Sequence, residues 1–126
     1  MIALDSSFLI DYLAGVEATA RFLEQREEPV YYAPTIVLYE IYEGAARYDG
    51  DSIDLAEESL EWVEPLEFDL TAAREAAQIT VELRADGAPI NAGAVLIAGT
   101  CRRHGATLVT RDDDFSTVDR LETVSY

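Results

Sequence analysis

The stretch Met1-Ile2-Ala3-Leu4-Asp5-Ser6-Ser7-Phe8-Leu9-Ile10-Asp11 opens the chain, and it decides how the rest is read. An apolar run of strand length passes straight into Phe8, Leu9, Tyr12 and Leu13 at helical spacing, with Ser6 or Ser7 placed to cap that helix and Gly15 to stop it. The strand closes on a carboxylate. Asp5 in that place is costly unless a cation or hydrogen bonds compensate its charge.

Outward from this unit, strands and helices alternate with no linker, repeat or low-complexity tract. A second helix is predicted from about Glu17 to Glu28, burying Ala20 and Leu23 and ended by Pro29. Val30 to Ala33 reads as a strand, and Pro34-Thr35 opens a helix through Glu40 to about Arg47. Asp49-Gly50-Asp51-Ser52 reads as a turn and helix start before Ile53 to Trp62, with a strand from Val63 to Phe68. Asp69 and Thr71 start a long Ala-rich helix to Ala85, and Asn91 caps the next, which runs to Arg103 with Gly105 as its C-cap. The strand Thr107 to Thr110, the loop Arg111 to Phe115 and a short strand around Glu122 to Ser125 complete the chain. This alternation predicts a single α/β domain over residues 1–126, a three-layer α/β/α sandwich around a mostly parallel sheet. Ligands of such sheets gather at the carboxyl ends of the strands, where strand order reverses. Asp5 and Asp112 both fall at strand carboxyl ends, and Glu40 lies inside the apolar helix Ile36 to Ile41. Three converging carboxylates make a site for a hard metal ion, and such sites commonly do phosphate chemistry.

The charge balance is extreme: 25 acidic residues face 9 basic ones, a net charge of −16, and all nine are Arg. Such a balance ordinarily argues against a nucleic-acid partner. In molar salt, however, the Debye length is about 3 Å, so a dense carboxylate coat stays hydrated without severe repulsion. An acidic, Lys-free composition rich in Ala and Thr fits a salt-accumulating cytoplasm such as that of a haloarchaeon. The acidity then reports the solvent rather than the substrate. No run approaches the roughly 20 apolar residues of a membrane span and no basic leader opens the chain, so a cytoplasmic protein with no membrane partner is expected. Cys101 lies in an apolar helical stretch with no intrachain partner and reads as a buried structural thiol.

Leu4 to Asp11, the helix centred on Glu40 with Gly44 four residues on, Gly87-Ala88-Pro89-Ile90 with Leu96-Ile97-Ala98, and Leu108 to Phe115 occur in this order along the whole chain. Together they resemble the PIN-domain ribonucleases, specifically the VapC toxins of toxin-antitoxin pairs. The resemblance implies a metal-dependent endoribonuclease that hydrolyses RNA phosphodiesters with Mg²⁺ or Mn²⁺. It makes Asp5, Glu40 and Asp112 the catalytic, metal-binding carboxylates, with Asp114 as a further metal-binding neighbour of Asp112. Ser7 and Thr110 match hydroxyl positions that orient these carboxylates. The implied partners are an RNA substrate, a cognate antitoxin whose tail plugs the acidic pocket, and a second copy in a homodimer.

The departure from the family pattern is at Ala94. The family carries an Asp four residues beyond the Ile of Gly-x-Pro-Ile, and here that place holds Ala94, with Asn91 and Gly93 expected to point elsewhere on the helix. Activity of this chain is therefore expected to be impaired, which keeps alive an inactive PIN-fold module that binds antitoxin or RNA. A phosphoacceptor receiver or an aspartate-nucleophile phosphatase fits less well. Both normally use a Lys that this chain lacks, and the phosphatases want a second Asp where Ser7 stands. Arg102 and Arg111 are candidate RNA contacts, with ion pairing as the plain alternative. His104 reads as a helix-end cap and Glu43 as a solvated residue. The tyrosines 31, 32, 39, 42 and 48 are candidates for a dimer or antitoxin surface as well as for core packing.

Overall fold

The computed structural model describes residues 1–48 and 52–126. Strand β1 (Ile2–Leu4) leads into α1 (Ser6–Leu13) and α2 (Glu17–Glu24), then β2 (Tyr31–Pro34), α3 (Thr35–Tyr48), α4 (Ser52–Ser59) and β3 (Val63–Leu66). The second half holds α5 (Leu70–Ala85), α6 (Ala92–His104), β4 (Thr107–Val109), a 3-10 turn (Asp113–Thr117) and β5 (Thr123–Val124). The five strands form one sheet in the order β3-β2-β1-β4-β5. Every neighbouring pair is parallel, so the sheet is wholly rather than mostly parallel. From β1 the chain moves outward through β2 and β3, then returns to the other side of β1 for β4 and β5. The order therefore reverses between β1 and β4, and that crevice is where a ligand of such a sheet sits.

Burial explains why these short segments are strands. Ala3, Leu4, Leu108 and Val109 are fully buried, as a sheet covered on both faces requires. Phe8 and Leu9 carry α1 onto the same core, and each such side chain contributes about 1.5–3 kcal/mol on leaving water. Helix ends follow local chemistry. Asp69 accepts from the Ala72 N–H at the start of α5, Asn91 accepts from the Ala94 N–H at the start of α6, and Gly105 ends α6 at φ 68°.

Two local readings change. Asp5 itself, not Ser6 or Ser7, holds the N-cap position of α1, without a side-chain cap bond, because its carboxylate is engaged elsewhere. Helix α2 stops at Glu24 and buries Thr19 and Phe22, with Leu23 half-buried against the core and Ala20 exposed. The Thr19 hydroxyl is satisfied by donating to the Val16 carbonyl at 2.7 Å, which makes its burial tolerable. The turn expected at Asp49-Gly50-Asp51 lies outside the described residues.

Candidate active site

Asp5 is the centre of the site. It follows β1, is 3 % exposed, and its N–H continues the ladder by donating to the Val109 carbonyl of β4 at 3.0 Å. Three hydroxyls turn toward its carboxylate. Thr110 donates to Oδ2 at 2.6 Å, Ser7 donates to Oδ2 at 3.2 Å, and Ser6 reaches Oδ1 at 3.5 Å. Burial nevertheless pushes the Asp5 carboxyl above the usual carboxylate range, opposed by the bonds from Thr110, the Ser6 backbone and Ser7 and reinforced by the charge of Asp112.

Two further carboxylates flank it. Burial also raises Glu40, the charge of Asp5 adds to that, and a bond from Ser6 works against it. Ser6 thus touches both carboxylates, a role hidden in the sequence behind its apparent use as a cap. Asp112 is placed by its own N–H, which donates to Thr110 Oγ1 at 3.0 Å. Its Oδ1 in turn accepts from the Asp114 N–H at 2.9 Å, so Asp112 shapes the 3-10 turn that carries Asp114. Asp114 enters this arrangement through its backbone. Among the described residues no three His, Cys, Asp or Glu side chains are gathered closely enough to hold a metal ion together. Repulsion from like neighbours, which helps raise both Asp5 and Glu40, opposes closer approach. The donor set is nonetheless one a hard divalent cation takes, all carboxylate and hydroxyl oxygens, and Mg²⁺ commonly bridges to such ligands through retained waters.

The start of α6 borders Glu40. A Cβ built on Gly93 would stand 3.8 Å from Glu40 Oε2 and 3.4 Å from Asn91 Oδ1, so Gly93 faces the second carboxylate instead of pointing away. Ala94 beside it is buried at 5 % exposure, its N–H held by Asn91.

Arg111 and Arg102 have opposite fates. The Arg111 N–H donates to Ser7 Oγ at 3.2 Å, while its guanidinium pairs with Asp11 at 2.6 Å and lies 5.4 Å from the Tyr126 ring centroid. Arg102 shows the ion pairing that was its plain alternative. Its side chain is 2 % exposed, paired with Glu75 at 2.8 Å and Glu82 at 3.1 Å and bonded to the Asp119 carbonyl, in the last turn of α6. His104 reaches the Glu67 carbonyl at 3.1 Å, tying the end of α6 to the loop after β3. Glu43 pairs with Arg47 at 2.7 Å on the exposed face of α3. Cys101 is fully buried and its thiol pushed up to about 12, so it is no nucleophile. Of the tyrosines, Tyr39 is 65 % exposed, while Tyr31 stacks edge-on against Trp62.

Residues 2–121 match the family model of the PIN domain. The chain belongs to the PIN-domain family. No curated protein is similar enough to count as a match. Solved structures with the same fold include the VapBC2 complex of Rickettsia felis bound to a promoter DNA fragment, at 20 % identity and TM-score 0.87, covering 99 % of this chain and 98 % of that one. The FitAcB structure of Neisseria gonorrhoeae is 26 % identical at TM-score 0.81, covering 98 % and 96 %. VapC20 of Mycobacterium tuberculosis, described as a toxin that cleaves the sarcin-ricin loop, aligns at 18 % identity and TM-score 0.65, over 97 % and 99 %. This chain places an acidic residue, Asp5, directly after its first strand, next to the strand-order reversal.

Proposed function

We propose that this protein is a metal-dependent endoribonuclease of the VapC toxin type, whose site lacks one acidic ligand at Ala94. The observation that carries the reading is Asp5: a buried carboxylate at the β1–β4 reversal, raised by burial, flanked by Glu40 and Asp112 and, among the described residues, matched by no cationic side chain. Such an arrangement is costly to the fold and is repaid by binding a cation. Asp5, Glu40 and Asp112, with Asp114, would hold Mg²⁺ or Mn²⁺. When bound, such an ion offsets phosphate charge, lowers the pKa of a bound water and steadies the departing oxygen.

The chain's own residues prepare the site. Thr110 and Ser7 hold Asp5 in one orientation by donating to the same oxygen, which leaves Oδ1 toward Ser6. Asp112 and Glu40, whose like charges flank Asp5, hold the negative field that draws a divalent cation in. With Ala94 in place of a fourth carboxylate, that field is weaker, and the expected turnover is low.

An antitoxin partner is supported by neighbouring structures such as a toxin-antitoxin complex from Klebsiella pneumoniae and a member of the VapBC family of toxin-antitoxin systems from Mycobacterium tuberculosis. An apolar groove of about 450 Å³ beside Glu40, lined by Ile10, Leu13, Ile41 and Ala56, suits a helical segment of such a partner. A homodimer, a cytoplasmic setting and a high-salt source complete the reading; among the described residues no helix is long and apolar enough to cross a membrane. Ala94 also favours a second reading, a PIN-fold module that binds without cleaving. The discriminating experiment is cleavage of an RNA pool in high KCl with Mg²⁺ or Mn²⁺. Ala94→Asp should gain metal-dependent cleavage of at least about tenfold, and adding Asp5→Asn should abolish it. If Ala94→Asp keeps its fold, binds metal and stays inert, the binding module is the better reading.

A further inference from the structure

Tyr126 is joined to the site by contacts that the carboxylate chemistry does not require. Its ring packs edge-on against the fully buried Phe8 with centroids 4.8 Å apart, which fixes it over the start of α1. Its hydroxyl donates to Asp11 Oδ2 at 2.7 Å, and the same oxygen accepts from the Arg111 guanidinium at 2.6 Å. The guanidinium lies over the Tyr126 ring at 5.4 Å. Burial and Asp11 push the Tyr126 phenol up to about 12, so the hydroxyl stays a donor throughout the working range.

The clamp is wired directly to the catalytic carboxylate. The Arg111 N–H donates to Ser7 Oγ, and Ser7 donates to Asp5 Oδ2. Arg111 therefore has a fixed backbone one residue from Asp112 and a side chain held from two sides, yet that side chain is 54 % exposed. A guanidinium has five N–H donors, and the Asp11 contact uses only part of the fork. The other cations with recorded pairs sit apart: Arg102 and Arg120 on Glu82, Arg103 on Asp69, Arg47 on Glu43. A pre-positioned fork with free donors beside an acidic site is suited to a phosphate, because planar bidentate recognition is what Arg does best.

We propose that Arg111 anchors an RNA phosphate next to the scissile one, with Asp11 and Tyr126 as the positioning residues that hold its guanidinium in place. The clamp separates two jobs in a chain of net charge −16. The carboxylates bind the cation, and Arg111 offsets the charge of the incoming strand. The assignment rests on the ribonuclease reading, and the test separates the two.

The test is equilibrium binding of a labelled single-stranded RNA to the full chain without divalent cations, from about 0.1 M to about 1 M KCl. Arg111→Ala should weaken binding about tenfold and lower the salt slope by about 0.7, the value for one lost phosphate contact on a single strand. Arg111→Lys keeps the charge, so its slope should stay while affinity falls severalfold. Tyr126→Phe keeps the ring but not the bond to Asp11, and should lose about twofold to threefold with the slope unchanged. If Arg111→Ala is unstable, Arg111→Lys and Tyr126→Phe still decide the matter. Parent binding with unchanged affinity and slope in all three variants would make the clamp a tie of the fold and nothing more. A parent chain with no RNA affinity at all overturns the nuclease reading, and the anchor with it.

Discussion

Two regions of this molecule bury charge, and they do it differently. In the last turn of α6, Arg102 is sealed between Glu75 and Glu82, a cation with two carboxylates and a carbonyl at hand. At the β1–β4 reversal, Asp5 is sealed with hydroxyls and the Ser6 backbone to meet it, and the charged neighbours Glu40 and Asp112 repel it. Paired burial ties helices together, whereas buried charge without a counter-charge is kept where something else is to bind.

The largest effect expected from this contrast is on the paired side. Arg102→Ala leaves two carboxylates facing each other and opens a gap between α5 and α6, so a loss of about 2–4 kcal/mol is expected by denaturant unfolding. Close by, Gly99 has no room for a side chain: an added Cβ would stand 2.8 Å from both the Cβ and the backbone nitrogen of Ala76. Gly99→Ala should therefore cost about 1–3 kcal/mol despite its better helix propensity. Were Arg102→Ala as stable as the parent, the pairing would not be structural and the contrast would dissolve.

The next effect is on the whole surface. With 25 acidic residues against 9 basic ones, thermal stability should climb by several degrees between about 0.1 M and 1 M KCl. A melting temperature that ignores salt over that range removes the high-salt explanation of the acidity.

The smallest effect is on the unpaired side and depends on pH. Asp5 and Glu40 titrate above their ordinary values in the folded chain, so between about pH 4 and those raised values the folded state holds more protons than the unfolded one. Their contribution to stability is fully present below the ordinary range and is lost as pH rises through the raised one. Asp5→Asn in chelator should then melt a few degrees above the parent at neutral pH, with the gap closing toward pH 4. Calorimetry that finds the variant less stable at every pH would mean that the hydroxyls compensate Asp5 after all.

Much of this was legible in the sequence, for local reasons. The Asn91 cap, the left-handed Gly105 and the strand that ends in Asp5 follow rules that span a few residues. What sequence could not show were ties between distant segments. Arg102 meets partners 27 and 20 residues away, and Tyr126 meets Asp11 across 115 residues, with no periodic signal linking them. On α2, Glu17–Glu24, the face was misread at Ala20, where Thr19 is buried instead, because a shift of one position turns a helical stripe by about 100°. Gly93 was expected to point elsewhere because a residue without a side chain announces no direction, yet it faces Glu40.

Titration of Mn²⁺ into the parent, Asp5→Asn and Ala94→Asp, followed by calorimetry in molar KCl, tests most directly whether the unpaired carboxylates form a cation site. Ala94→Asp should bind about tenfold or more tightly than the parent, and Asp5→Asn should show no measurable binding. Equal binding by the parent and Asp5→Asn would contradict a site centred on Asp5.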